Sequence, residues 1–213
     1  MRRLFLLPLC LFAWSVAACG SGNADVVSYT DPEKTSLVNL PPEWHTYDIN
    51  ELNALEDVPF AEPYGGFEYP AVSSLAFDGA PARDVSNLTN SLALVDYPIG
   101  VMSVKTVGDL ERQYLNRAAL SQSILPYFQF VDSQEHLRED FTFGDGYDGV
   151  RVLVSYVDEN GAEVGIAYLI SVTDPADNRM YSIVAGCSRD CYIENQAQIE
   201  RVVDSWLVNK RAS

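Results

Sequence analysis

The sequence predicts an α+β fold, one antiparallel sheet of about five to seven strands packed with at least two helices. Three observations carry that expectation. The stretch 150–186 alternates apolar and polar residues in three runs divided by turn residues. Two other stretches, near 109–125 and 194–208, repeat their apolar residues at helical spacing instead. Their order along the chain is strands, helix, strands, helix, and a sheet with an apolar face buries it under the amphipathic helices available.

In chain order, Leu37 to Leu40 reads as a short strand stopped by Pro41-Pro42, and Trp44, Tyr47 and Ile49 suggest a second. Residues 56–72 hold Pro59, Pro63, Gly65, Gly66 and Pro70 and read as a long irregular loop. Leu92 to Val95 and Ile99 to Val104 are expected to be strands, separated by Asp96-Tyr97-Pro98. The period then changes: Asp109 is placed to cap a helix on which Leu110, Tyr114, Ala118 and Ser121 share a face, and Pro126 marks its end. Phe130 to Phe143 supplies a further, less regular strand.

The C-terminal half is the most regular. Val150, Val152, Val154 and Tyr156 alternate with their neighbours, and Asp158-Glu159-Asn160-Gly161 makes a hairpin turn, since Asn and Gly adopt positive φ at little cost. Val164, Ile166, Tyr168, Ile170 and Val172 alternate in turn. A second turn over Thr173 to Asn178 leads to a strand from Met180 to Gly186, completing a meander. Ile199, Val202, Val203, Trp206 and Leu207 form the apolar stripe of a closing helix.

The first residues are of another kind. Met1-Arg2-Arg3 is basic, Leu4 to Trp14 is apolar, and Ser15-Val16-Ala17-Ala18 is small up to Cys19. Eleven apolar residues are too few for a spanning helix, which needs about 20, and the layout is that of a secretory signal peptide over residues 1–18. Val16-Ala17-Ala18-Cys19 resembles the bacterial lipobox, which implies lipidation of Cys19 and attachment to a membrane outside the cytoplasm. Two acyl chains hold firmly, each buried CH₂ contributing about 0.8 kcal/mol. Residues 19–36 are then expected to be a flexible tether with a reach on the order of 20 Å, and 37–213 a single domain.

Loss of residues 1–18 removes Arg2 and Arg3 and no acid, taking the formal charge from −16 to −18. So acidic a surface repels nucleic acid and anionic headgroups and suits a partner with basic patches. Cys187 and Cys191 remain besides the anchor. Outside the cytoplasm they are expected to form a structural disulfide, since Cys-x₃-Cys lacks the redox spacing and brings no further metal ligands.

From about residue 37 to 210 the chain resembles the PsbP-like superfamily, which includes Ran-binding Mog proteins and LpqN-type mycobacterial lipoproteins. Pro42-Glu43-Trp44, Tyr97-Pro98-Ile99-Gly100, the Gly149 to Val172 hairpin, Met180-Tyr181-Ser182-Ile183 and the Ile199 to Trp206 helix carry the likeness. The resemblance implies an antiparallel sheet between helices and a protein that binds partners or assists assembly, with no catalytic motif to transfer.

The residues themselves ask for no cofactor and no metal. His45 and His136 lie in no nucleophile motif, and neither they nor Glu135 and Glu139 have metal-ligand spacing. Asp145-Gly146-Tyr147-Asp148-Gly149 departs from a calcium loop at Tyr147 and Gly149. Phe60, Tyr64, Phe67 and Tyr69, in the irregular loop, are the candidate binding surface for an envelope protein or glycan, set against the expectation that they fold back into the core. The sequence thus reads as an envelope-anchored lipoprotein acting as a non-enzymatic binding or assembly module. The competing reading is a small hydrolase of envelope polymers using paired carboxylates.

Overall fold

A computed structural model describes residues 26–53, 71–89, 92–108, 120, 132–142, 147–174 and 178–209. The leader, Cys19, the aromatic residues Phe60, Tyr64, Phe67 and Tyr69, and all but Leu120 of the expected 109–125 helix lie outside them. Leu120 itself is helical and buried.

Ten strands and two α-helices are described: β1 (Val27–Thr30), β2 (Ser36–Leu40), β3 (His45–Asp48), α1 (Ile49–Asn53), β4 (Ala71–Asp78), β5 (Ile99–Thr106), β6 (Asp132–Thr142), β7 (Asp148–Val157), β8 (Glu163–Asp174), β9 (Arg179–Ser188), α2 (Arg189–Asp204) and β10 (Leu207–Val208). Seven strands form one sheet in the order β3-β4-β5-β9-β8-β7-β6, antiparallel at every junction. A smaller sheet has the order β1-β2-β10. The α+β architecture is the expected one.

Both faces of the large sheet are buried. One packs Tyr168, Ile170, Val172, Tyr181 and Ile183 against Ile199, Val202 and Val203 of α2 and against Val38 and Leu40 of β2. The other packs Val101, Val150, Val152, Leu169 and Val184 against Leu88, Leu92 and Leu120. Two-sided burial explains why β8 and β9 are so uniformly apolar. The sheet closes tightly at Gly186, where an added Cβ would stand 2.2 Å from the Ile166 carbonyl oxygen. The β7–β8 turn has Gly161 at φ 78°, with Asp158 Oδ1 accepting the amides of Asn160 and Ala162 at 2.8 and 2.9 Å.

Several expectations change. Residues 27–30, placed in the tether, form β1 on β2. Asp31 is buried and ties the intervening turn, its carboxylate accepting Glu33 N, Thr35 Oγ1 and Ser36 N. Leu92–Leu94 is a 3-10 turn, not a strand, because a short apolar run carries no period to distinguish the two. The irregular loop over 56–72 cannot extend that far, since Ala71 already begins β4. The closing helix starts at Arg189, five residues before the expected 194. Among the described residues no helix is long and apolar enough to cross a membrane.

Candidate functional site

The residues singled out from the sequence do not converge. His45 lies on β3 and His136 on β6, the two outermost strands of the seven-stranded sheet, so no site holds both. No group of three His, Cys, Asp or Glu side chains suited to a metal occurs among the described residues. Tyr147 is buried in the core, and the preceding Asp145-Gly146 lies outside the described residues. Cys187 and Cys191 are bonded, with Cα atoms 5.8 Å apart, joining the end of β9 to the first turn of α2. Ser188 makes no side-chain cap at that helix start, so the covalent bond takes over the fixing of the first turn.

What the fold does assemble is a shelf beside α2. The helix packs on β8 and β9, leaving β7 and β6 to extend past it. Register places Leu137 beside Leu153 and Tyr168, and Glu139 beside Arg151 and Ile170, all on the face that α2 covers further in. Residues 133–140 of β6 are exposed throughout. Leu137 is 44% exposed there, and Ile193 on α2 is 56% exposed.

Both ends of α2 are tied to this shelf. At the first residue, Arg189 Nε lies 3.5 Å from Glu163 Oε2. At the last, Asp204 Oδ1 accepts Tyr168 Oη at 3.0 Å and pairs with Arg151 Nη2 at 3.4 Å, while Arg151 Nη1 reaches Glu139 on β6 at 3.2 Å. Exposed pairs of this kind contribute little stability singly, but together they fix the angle between helix and ribbon. Tyr192 Oη and Arg151 Nε are buried without a hydrogen-bond partner among the described residues. Burial, with Glu200, Tyr168 and Asp204 adding to it, pushes the Tyr192 hydroxyl pKa up.

A histidine, a serine and a carboxylate do meet on the shelf. His136 Nε2 is 2.8 Å from Ser155 Oγ and 3.0 Å from Glu163 Oε1, and Ser155 Oγ donates to that same Glu163 oxygen at 2.9 Å. A nucleophilic triad needs the acid on one ring nitrogen and the hydroxyl on the other. Here both crowd one nitrogen, the serine proton is already committed to the acid, and Ser155 is fully buried. The trio is a clamp holding β6 to the β7–β8 hairpin. Among the described residues, the carboxyls that their surroundings displace move the wrong way for a general acid. The carboxyls of Glu51, Asp84, Asp158 and Glu163 are all held below their ordinary range, whereas a proton donor at neutral pH has to be raised.

One buried group had no signal in the sequence. Asp78, at the end of β4, is fully buried and accepts Tyr47 Oη at 2.8 Å, Ala80 N at 3.0 Å and Asn87 Nδ2 at 3.2 Å. Arg83 covers the Tyr47 ring at 4.6 Å, and burial followed by the hydrogen bond to Asp78 pushes the Tyr47 hydroxyl pKa up. Every oxygen is taken by the protein's own donors, so the cluster pins the 79–89 segment to β3 and β4.

No family model and no curated protein matches the sequence. Solved structures do match. Cyanobacterial PsbP (CyanoP) from Synechocystis sp. PCC 6803 superimposes with a TM-score of 0.51 at 14% identity, over 91% of this chain and 99% of that one. The Ran-binding protein Mog1p of Saccharomyces cerevisiae gives 0.47 at 10% identity, over 87% of this chain and 96% of that one. At such identities the likeness is one of fold, and the fold is PsbP-like, as the resemblance implied.

Proposed function

We propose that this chain is an envelope-anchored lipoprotein whose folded part is a non-enzymatic binding or assembly module, and that the shelf beside α2 receives its protein partner. The lipobox-like Val16-Ala17-Ala18-Cys19 supports the anchor. The observation that carries the binding reading is β6, an eleven-residue strand exposed along residues 133–140 on a ribbon that α2 leaves uncovered. Leu137 and Ile193 supply apolar contact within a rim of charge, the anatomy of a protein interface. The excess of acids on the chain favours a partner with a basic surface. The aromatic residues Phe60, Tyr64, Phe67 and Tyr69 remain a second candidate surface.

The test is site-directed photocrosslinking in intact cells, with the probe placed at position 137 or 193 of the full chain. One discrete protein adduct is expected at both positions, the adduct from 137 being lost on Ile193→Asp and that from 193 on Leu137→Asp, with the melting temperature unchanged. Adducts that are absent, or no more frequent than from a probe at Asn160, defeat the reading. Intact mass of the natural product checks the anchor separately: residues 1–18 removed and a diacylglyceryl group on Cys19. The reading of a paired-carboxylate hydrolase gains no support from Glu163, whose carboxyl is lowered.

A further inference from the structure

We infer that a second recognition site lies on the opposite flank of α2, in a groove of about 250 Å³ between the Pro41–Pro42 turn and the helix, and that it takes an apolar side chain of a protein partner with the neighbouring carboxylate bound to Arg201. At 3.6 residues per turn, Gln198, Arg201 and Ser205 project on average about a third of a turn away from Ile193, Glu200 and Asp204. The core-facing stripe of Ile199, Val202 and Val203 runs between the two sets.

The groove's wall is apolar, formed by Val26, Pro41, Pro42 and Val202. Its polar rim is spoken for with one exception. Ser205 Oγ accepts Asn39 N at 2.9 Å and donates to Val202 O at 2.7 Å, Asn39 Oδ1 accepts Ser28 Oγ at 2.6 Å, and Gln198 Nε2 donates to Glu43 at 3.3 Å. The exception is Arg201. Arg83, Arg138, Arg151, Arg179 and Arg189 each pair with a carboxylate, whereas Arg201 makes no ion pair among the described residues. In a chain with 30 acids and 14 bases, Arg201 is, among the described arginines, the one left without an acid. A guanidinium offers five donors in a fork that matches a carboxylate.

Size then limits the occupant. The groove falls below the roughly 300–1,000 Å³ of sites that enclose whole small-molecule ligands. It has the dimensions of an anchor pocket, in which one buried side chain of a partner carries much of an interface. Apolar wall and free arginine together specify that side chain as aliphatic and its neighbour as anionic. The inference rests on the binding-module reading only in drawing its occupant from a protein.

The smallest probe with both features is N-acetyl-leucine, titrated into the ¹⁵N-labelled full chain while the amides of Asn39, Glu43, Gln198, Arg201 and Ser205 are followed. Saturable shifts confined to these amides are expected. N-acetyl-leucinamide, which lacks the charge, and the Arg201→Gln variant should each weaken the response about tenfold or more. Glu43→Gln, which removes the competing rim charge, should tighten it. Leu137→Asp should leave it unchanged, separating this site from the shelf. No saturable shift, or equal affinity for acid and amide, overturns the inference. So does preferential binding of monomeric short-chain phosphatidylglycerol, which would make the groove a lipid site.

Discussion

Replacing Asp78 by alanine should destabilise the fold by about 3–5 kcal/mol, although the site touches no partner. The magnitude follows from its three donors. A hydrogen bond to a charged acceptor contributes about 1.5–3 kcal/mol net, and a buried donor left without one costs about 1–3 kcal/mol. Asn87 is only partly buried and can turn to water, so Tyr47 Oη and the Ala80 amide, both on buried residues, carry most of the loss. Asp78→Asn keeps the volume and an oxygen for Tyr47 and Asn87, but turns an amide N–H₂ toward the Ala80 N–H. It should therefore cost about 1–2 kcal/mol. Urea unfolding at pH 7, followed by tryptophan fluorescence, measures both. Trp44 reports locally, since its ring stacks 5.8 Å from that of Phe77, the residue before Asp78. The slope against urea should not change. If the alanine variant lies within about 1 kcal/mol of the native protein, or the asparagine variant is equally damaged, the buried carboxylate is not acting as a three-donor hub.

Three further outcomes are expected. Reducing the Cys187–Cys191 bond, or replacing both residues by alanine, removes a loop closure over a separation of 4 residues, which is about 2 kcal/mol. Calorimetry should record a fall in Tm of about 4–8 °C, and an unchanged Tm refutes the estimate. Glu163 is held below its ordinary value of 4.5, first by the Ser155 hydroxyl and then by His136 and Arg189. Its stabilisation is thus complete above pH 4.5 and lost as pH falls through the lowered folded value. The gap in urea midpoint between native protein and Glu163→Gln should be present at pH 5 and shrink as pH falls through the lowered folded value. A gap that widens below pH 4.5 contradicts that sign. Gly186→Ala drives a methyl into the Ile166 carbonyl and to 2.8 Å from Ala167 Cα, and should cost about 3 kcal/mol or more by chemical denaturation. A near-neutral result means β8 and β9 yield more easily than their register implies.

How much of this was legible depended on whether the residues that decide an element are neighbours in the chain. The β7–β8 hairpin was, because period-two alternation and Asp158-Glu159-Asn160-Gly161 are local signals. β4 was not: Ala71-Val72-Ser73-Ser74-Leu75-Ala76-Phe77-Asp78 has small and polar residues where a strand reading looks for bulk. Ser73, Ala76, Phe77 and Asp78 are nevertheless all buried, by contacts distant in sequence. The start of α2 was missed for a related reason. Cys191 and Tyr192 extend its buried stripe by two turns, but the cysteine had already been read as half of a bridge. Of the shelf, only single residues were visible. Glu135, Glu139 and His136 could be picked out singly, yet Arg151, Ser155 and Glu163, which meet Glu139 and His136, are brought to them by pairing across β6, β7 and β8.

The three-stranded sheet has a mechanical consequence. β1 runs antiparallel to β2 from the Val27–Leu40 pair inward to Thr30–Leu37, so tension entering ahead of Val27 meets the open end of a hairpin. Such a pull undoes one cross-strand bond at a time, with Asp31 as the last knot. The seven-stranded body takes the full load only after that stitching has run out, and the four-residue ribbon gives a tugged protein slack before the large sheet is disturbed.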